Sequence, residues 1–98
     1  MKFVQVMEFQ TTQIDKMDEL EAKWRAATEG RRTTIRQLKA RDRDRANSYV
    51  IIVEFDSYEA SLKNNDLPET NEIAAEMRKL SDGPATFRNL DVLDEITS

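Results

Sequence analysis

Two carboxylates stand inside strongly apolar stretches of this 98-residue sequence. Glu8 interrupts the run from Lys2 to Gln10, and Glu54 interrupts the run from Tyr49 to Phe55. A desolvated carboxylate has a raised pKa and can act as a base, while a nearby guanidinium can hold an oxyanion. The same acids can instead form plain ion pairs with basic residues on neighbouring strands, and that is the simpler interpretation. Their position in the fold decides between these two roles.

The sequence contains no histidine and no cysteine. It therefore lacks the commonest metal ligand, the usual base at neutral pH and a thiolate nucleophile. A Ser-His-Asp triad is impossible, and so is a disulfide framework. We accordingly expect no metal site and no cofactor.

The length of 98 residues fits one domain, which we take to span 1–98. No run approaches the roughly 20 apolar residues of a membrane-spanning helix. The N-terminal run soon meets Glu8 and Gln10, unlike the apolar stretch of a signal peptide. We therefore expect a cytoplasmic protein with no membrane partner.

Positive charge is concentrated between positions 31 and 45, which hold seven basic and two acidic residues, a net charge of +5. The other positions hold eight basic and 17 acidic residues, a net charge of -9, so the sum is -4. Such a segment can form an electrostatic partner surface or simply one solvated hairpin. Its alternating Arg and Asp residues offset one another and no aromatic residue lies between them, which favours the solvated hairpin over a surface that binds nucleic acid.

Four stretches have the composition of β-strands. Lys2 to Gln10 and Tyr49 to Phe55 are rich in β-branched and aromatic residues. Thr33 to Arg43 precedes the turn at Ala46-Asn47-Ser48, so it forms a hairpin with the strand that follows. Ala85 to Ile96 is the fourth predicted strand.

Two stretches have helical periodicity. The first begins at Ile14 after a Thr12-Asp15 pair that resembles a capping box, and it ends before Gly30. The second begins at Asp56-Ser57 and is interrupted at Asn64 to Pro68. The first helix carries one apolar stripe, formed by Ile14, Met17, Leu20, Trp24 and Ala27.

The order strand, helix, strand, strand, interrupted helix, strand predicts an α+β fold of the ferredoxin-like βαββαβ type. Right-handed crossovers give a four-stranded antiparallel sheet of order 4-1-3-2 with the helices on one face. The central strands are apolar on both faces, so a monomer would expose a large apolar patch on the face without helices. A second copy of the sheet would cover this patch, so we expect a homodimer.

The element order, the Val53-Glu54-Phe55 strand end followed by Asp56-Ser57-Tyr58-Glu59-Ala60, and the break at Asn65-Asp66-Leu67-Pro68 resemble the dimeric α/β-barrel superfamily. The resemblance is strongest to its antibiotic-biosynthesis-monooxygenase branch. It implies two sheets paired as a barrel around a cavity, and activities that include cofactor-free oxygenation of polycyclic aromatics and haem degradation. The haem-degrading members use a histidine as iron ligand, which this chain lacks.

The resemblance to the cofactor-free oxygenases also implies asparagine, tryptophan and tyrosine side chains that hold a phenolic substrate near the interrupted helix. Asn64 and Asn65 match the asparagine position roughly, and Tyr58 is nearby. The single tryptophan, Trp24, departs from the pattern because it lies on the first helix. Its register with the apolar stripe favours a place in the core, and the asparagines also suit a plain helix break.

In the predicted sheet Glu8 and Glu54 lie at opposite ends, which disfavours a mechanism with two paired carboxylates. The same topology places Glu8 near Arg88 and Glu54 near Arg36. Two functions of different classes remain open. A cavity lined by Glu54, Tyr49, Trp24 or an asparagine would indicate binding or transformation of a small aromatic or carbonyl metabolite. A barrel filled by side chains would indicate a structural or regulatory interaction module.

Overall fold

The computed structural model describes residues 1–97 and contains four strands and three helices within that range. The strands are β1 (Phe3–Gln10), β2 (Thr34–Arg41), β3 (Ser48–Phe55) and β4 (Thr86–Asp91). The helices are α1 (Ile14–Ala27), α2 (Tyr58–Asn65) and α3 (Pro68–Leu80). The predicted βαββαβ order is confirmed, and α2 and α3 are the two parts of the interrupted second helix.

The sheet is antiparallel with the strand order β2-β3-β1-β4, which is the predicted order read from the other edge. Val6 at its centre lies opposite Ile52 of β3 and Arg88 of β4. Ile52 in turn lies opposite Leu38 of β2. The pairing of β2 with β3 has a register shift between Thr34 and Arg36, at the start of β2.

One face of the sheet carries the helices. Phe9 of β1 and Ile51 of β3 form the buried core cluster with Met17 of α1, which has no exposed surface. Because side chains alternate along a strand, the residues between these positions point away from the helices. We call that second side the open face. Its residues are Val4, Val6, Glu8, Arg36, Leu38, Ala40, Val50, Ile52, Glu54, Thr86, Arg88 and Leu90.

The starts of α2 and α3 are as the sequence predicts, whereas the capping of α1 differs from the prediction. Ser57 caps α2, since its hydroxyl accepts a hydrogen bond from the Ala60 N–H at 3.1 Å. Pro68 opens α3, where its missing N–H costs nothing. The predicted capping box at Thr12 is wrong: Thr11 accepts from the Gln13 N–H instead and donates to the Leu80 carbonyl at 2.7 Å. Thr11 thus ties the entry of α1 to the end of α3.

The fourth strand is shorter than the predicted Ala85 to Ile96. It ends at Asp91, which lies opposite Phe3, the first residue of β1, so no paired residue remains beyond it. One further backbone hydrogen bond joins the Val92 N–H to the Lys2 carbonyl at 3.0 Å. Among residues 1–97, no helix has the length and apolar character needed to cross a membrane.

Candidate functional site

The open face carries an ion pair near each of two opposite corners. The Arg36 guanidinium donates to the Glu54 carboxylate at 2.9 Å, and the two residues lie directly opposite each other on β2 and β3. The Arg88 guanidinium donates to the Glu8 carboxylate at 2.6 Å. The structure therefore places each acid beside the arginine predicted for it. The carboxylates are not brought together, because Glu8 lies at one end of the sheet and Glu54 at the other.

The two pairs differ in their exposure to solvent. The Glu54 side chain is 19% exposed, whereas that of Glu8 is 42% exposed. Both arginine side chains are more than half exposed. An exposed ion pair of this kind contributes little to stability. Removal of solvent from the face would strengthen the attraction between the two charges but would also cost their hydration free energy.

The two asparagines at the end of α2 have opposite environments. Asn64 is 5% exposed, and its Oδ1 atom is buried without a hydrogen-bond partner. Asn65 is exposed, and its backbone carbonyl accepts from the Asn71 side chain at 3.2 Å. Buried polar atoms in folded proteins are nearly always paired, so Asn64 is the unusual one. Tyr58 at the start of α2 is half exposed and packs the edge of its ring against Phe3.

Trp24 connects two helices rather than joining the buried core cluster. Its indole N–H donates to the Thr70 hydroxyl of α3 at 3.0 Å. The Arg32 guanidinium lies 5.4 Å from the centre of its ring, within the range of a cation–π contact. The helical stripe predicted Trp24 as a core residue, and it is instead partly buried at the α1–α3 contact. An indole N–H needs a partner when it is buried, and Thr70 supplies one here.

Two of the surface clefts contain residues predicted from the sequence. The first, of about 410 Å³, lies where β1 ends and β3 and β4 begin, and it includes Glu8 and Tyr49. Tyr49 stacks there against Phe9, with ring centres 5.7 Å apart. The second, of about 420 Å³, lies between α1 and β2, and we call it the α1–β2 cleft. It brings Trp24 and Arg36 together, while Glu54, Tyr58, Asn64, Asn65 and Arg88 line neither cleft.

The α1–β2 cleft also contains a charged network that the sequence did not indicate. Lys39 of β2 is ion-paired with Asp18 and Glu21 of α1, the second contact at 3.0 Å. Partial burial lowers the pKa of Lys39, but the hydrogen bonds to the two carboxylates outweigh it and raise the pKa overall. Alternation along β2 places Lys39 on the same side as α1, which is the one signal that could have revealed it.

A second unforeseen pair lies between the helices. Arg31 donates to the Glu69 carboxylate at 2.6 Å and to the Ala27 carbonyl at 2.6 Å. The hydrogen bond from Arg31 lowers the pKa of Glu69. The pair joins the segment after α1 to the first turn of α3. Among residues 1–97, no cluster of three or more acidic side chains is placed to hold a metal ion.

Comparison with solved structures gives a match along nearly the entire chain. SnoaB, a cofactor-independent oxygenase from Streptomyces nogalater determined as an asparagine-to-alanine variant, is 21% identical with a TM-score of 0.82, covering 99% of this chain and 98% of its own. Rv0793 from Mycobacterium tuberculosis is 15% identical with a TM-score of 0.80, covering 99% and 100%. A structure described as an antibiotic biosynthesis monooxygenase is 15% identical with a TM-score of 0.75, covering 96% and 100%.

This chain has the antibiotic-biosynthesis-monooxygenase-like fold. The resemblance drawn from the sequence is confirmed at the level of the fold. No protein-family model matches the sequence, and no curated protein matches it significantly. At 21% identity or less, the likeness covers the path of the chain and leaves the chemistry to be argued from its own side chains.

Proposed function

We propose that this protein is a monooxygenase-like homodimer of the cytoplasm that binds and oxidises a small aromatic or carbonyl compound without metal or haem. The fold supports this proposal, since one structure that matches 99% of the chain is named a cofactor-independent oxygenase. The observation that carries it is the buried amide of Asn64, whose Oδ1 has no partner.

An unpaired buried acceptor costs free energy, so its retention calls for an explanation. A phenolic ligand supplies one, because its hydroxyl can donate to the amide oxygen. After the phenol loses its proton, the NH₂ group of the same amide can donate to the resulting anion. Asn64 would therefore hold the substrate in both of its protonation states.

Oxygenation without a cofactor requires the substrate itself to become rich in electrons. Deprotonation of a phenol or of its ketone tautomer does this, and the resulting anion can transfer an electron to molecular oxygen. A site that stabilises the anion raises its population at neutral pH. Asn64 would supply this stabilisation, and Tyr58 and Asn65 lie on the same helix.

Anthrone is a suitable probe because it is a tricyclic ketone that tautomerises to a phenol. Its reaction with one molecule of oxygen gives anthraquinone and water, and both oxygen uptake and quinone absorbance can be followed. We expect Asn64→Ala to lower the rate above the uncatalysed reaction by roughly 100-fold or more, the typical loss on removing one anion-stabilising donor. The matched control is Asn65→Ala, which removes an exposed amide one residue away.

Stability distinguishes a functional amide from a structural one. Asn64→Ala removes a buried unsatisfied oxygen, so its thermal midpoint should stay unchanged or rise. Equal rates for the two variants would contradict the proposed role of Asn64. A wild-type rate no higher than the uncatalysed one would instead favour the structural or regulatory interaction module.

The open face supports the homodimer. Six aliphatic side chains cross it between the two ion pairs: Val4, Val6, Leu38, Val50, Ile52 and Leu90. Leu38 and Leu90 remain nearly half exposed. A face-to-face dimer would remove this patch from water and desolvate both ion pairs. Sedimentation equilibrium should give twice the chain mass of 11.4 kDa at micromolar concentration, and a monomer would contradict the dimer.

A further inference from the structure

The α1–β2 cleft has the size of a ligand site and does not include Asn64. Its volume of about 420 Å³ falls within the range of small-molecule sites. It is lined by Trp24, Glu21 and four basic residues, namely Arg25, Arg32, Arg36 and Lys39.

The four basic side chains differ in how closely a carboxylate approaches them. Arg36 and Lys39 each have close carboxylate partners. Arg25 approaches the Glu21 carboxylate only to 3.9 Å, which is beyond hydrogen-bond distance. Arg32 has no ion pair within residues 1–97, and its guanidinium donates to the Arg25 carbonyl and the Thr28 hydroxyl. The cleft therefore includes two arginines, Arg25 and Arg32, that have no carboxylate within hydrogen-bond distance, in a chain whose net charge is -4.

The acidic side chain of the cleft is also incompletely paired. The Glu21 side chain is 7% exposed, and its Oε2 atom accepts a hydrogen bond from Lys39 at 3.0 Å. Its Oε1 atom is buried and accepts no hydrogen bond. A buried carboxylate oxygen without a donor is costly, so the site favours a ligand that brings a hydroxyl or N–H group.

We propose that the α1–β2 cleft binds a small aromatic carboxylate that carries a hydroxyl group. The ligand carboxylate pairs with Arg25 and Arg32, since guanidinium groups bind carboxylates through two parallel hydrogen bonds. Its hydroxyl donates to Glu21, and its ring packs against Trp24. This site lies outside the proposed oxidation site, because Asn64 does not line the cleft.

The experiment titrates the full chain with para-hydroxybenzoate. Trp24 is the single tryptophan of the sequence, so its fluorescence reports directly on the cleft, and calorimetry gives the stoichiometry. We expect saturable binding of one ligand per chain. Arg25→Gln should weaken binding by roughly tenfold or more, the effect of losing a charge-assisted hydrogen bond. Arg43→Gln makes the same charge change at an exposed position outside the cleft, and it should leave the affinity unchanged.

Two further ligands separate the contributions of charge and hydroxyl. Benzoate lacks the hydroxyl and para-hydroxybenzamide lacks the charge, so each should bind roughly tenfold more weakly than the parent. In Glu21→Gln the preference for para-hydroxybenzoate over benzoate should shrink.

Several results would overturn the cleft proposal. These are no saturable binding of para-hydroxybenzoate, equal affinities for it and benzoate in the wild type, or equal losses in Arg25→Gln and Arg43→Gln. Asn64→Ala should not change this titration, so failure of the oxidation proposal and failure of the cleft proposal are distinguishable.

Discussion

The two faces of the sheet are built from different residues and reach different degrees of burial. The helix face holds the aromatic residues Phe3, Phe9 and Phe55, each no more than 5% exposed. The open face holds aliphatic residues between two ion pairs, and most of them remain partly exposed. The three phenylalanine side chains of the helix face are thus buried within one chain, whereas most apolar side chains on the open face remain in contact with solvent.

The helix face therefore contributes most to the stability of the isolated chain, and the open face offers an apolar surface to a second molecule. Large side chains that meet the helices bury most of their surface in the isolated chain. Aliphatic side chains on the open face lose water only when another surface covers them. Substitutions on the helix face should therefore change the stability of each chain, and those on the open face should change association.

Met17→Ala should give the largest effect, since Met17 has no exposed surface and lies at the centre of the core cluster. We expect a loss of about 2–5 kcal/mol in the free energy of unfolding, the usual range for such a truncation in a core. Urea denaturation measures it, with Leu62→Ala on the half-exposed side of α2 as the control. A loss below that of the control would show that the core lies elsewhere.

Ile52→Thr on the open face should have a smaller effect of another kind. It exchanges an apolar group at the centre of the patch for a hydroxyl and should cost about 1–2 kcal/mol in the dimer. Because the loss arises from association, the variant and the wild type should have equal thermal midpoints at protein concentrations where both are monomeric. Sedimentation should show dissociation at higher concentration, and an unchanged dimer would place the interface elsewhere.

Glu54→Gln and Glu8→Gln compare the two ion pairs of the open face. Glu54 is the less exposed acid, so its neutralisation should cost about 1 kcal/mol, against about 0.5 kcal/mol or less for Glu8. Thermal denaturation at neutral pH gives both values. A Glu54→Gln variant more stable than the wild type would indicate a carboxylate kept for function rather than for the fold.

The Arg31–Glu69 pair on the helix side should give the smallest effect, visible as a pH dependence. The pKa of Glu69 is lowered from 4.5 in the folded chain, so its contribution is present above that pH and is lost as the pH falls below it. Glu69→Gln should therefore flatten the acid side of the stability profile. Asp44→Asn in the exposed β2–β3 loop is the control, and equal flattening in both variants would rule out a specific pair.

Much of the fold was predictable because its signals are local or topological. Alternation in β1 and β3 indicates strands, and Pro68 marks the restart of the second helix. The pairing of Glu54 with Arg36 followed from the strand order, since that order determines which residues lie opposite each other. The end of β4 was not predictable from its own composition, because it depends on where β1 begins.

The site was less predictable because it depends on side-chain contacts between distant elements. The apolar stripe predicted a place in the core for Trp24. The hydrogen bond from its indole N–H to Thr70 depends on how α1 and α3 cross, which the stripe does not show. The burial of Asn64 and the exposure of Asn65 depend on the phase of α2 relative to the sheet. No local pattern distinguishes two adjacent asparagines, or brings Lys39 of β2 to Glu21 of α1.

The register at the centre of the sheet contains an approximate two-fold symmetry. Half a turn about the normal to the sheet exchanges Val6 with Ile52, and it superposes the segment from Val4 to Phe9 on the segment from Val50 to Phe55. A second copy would therefore meet similar central strands in two orientations. The outer strands break the equivalence, since Arg88 and Leu90 on β4 correspond to Leu38 and Ala40 on β2. Residues at the margins of the interface, rather than those at its centre, would then select a single dimer geometry.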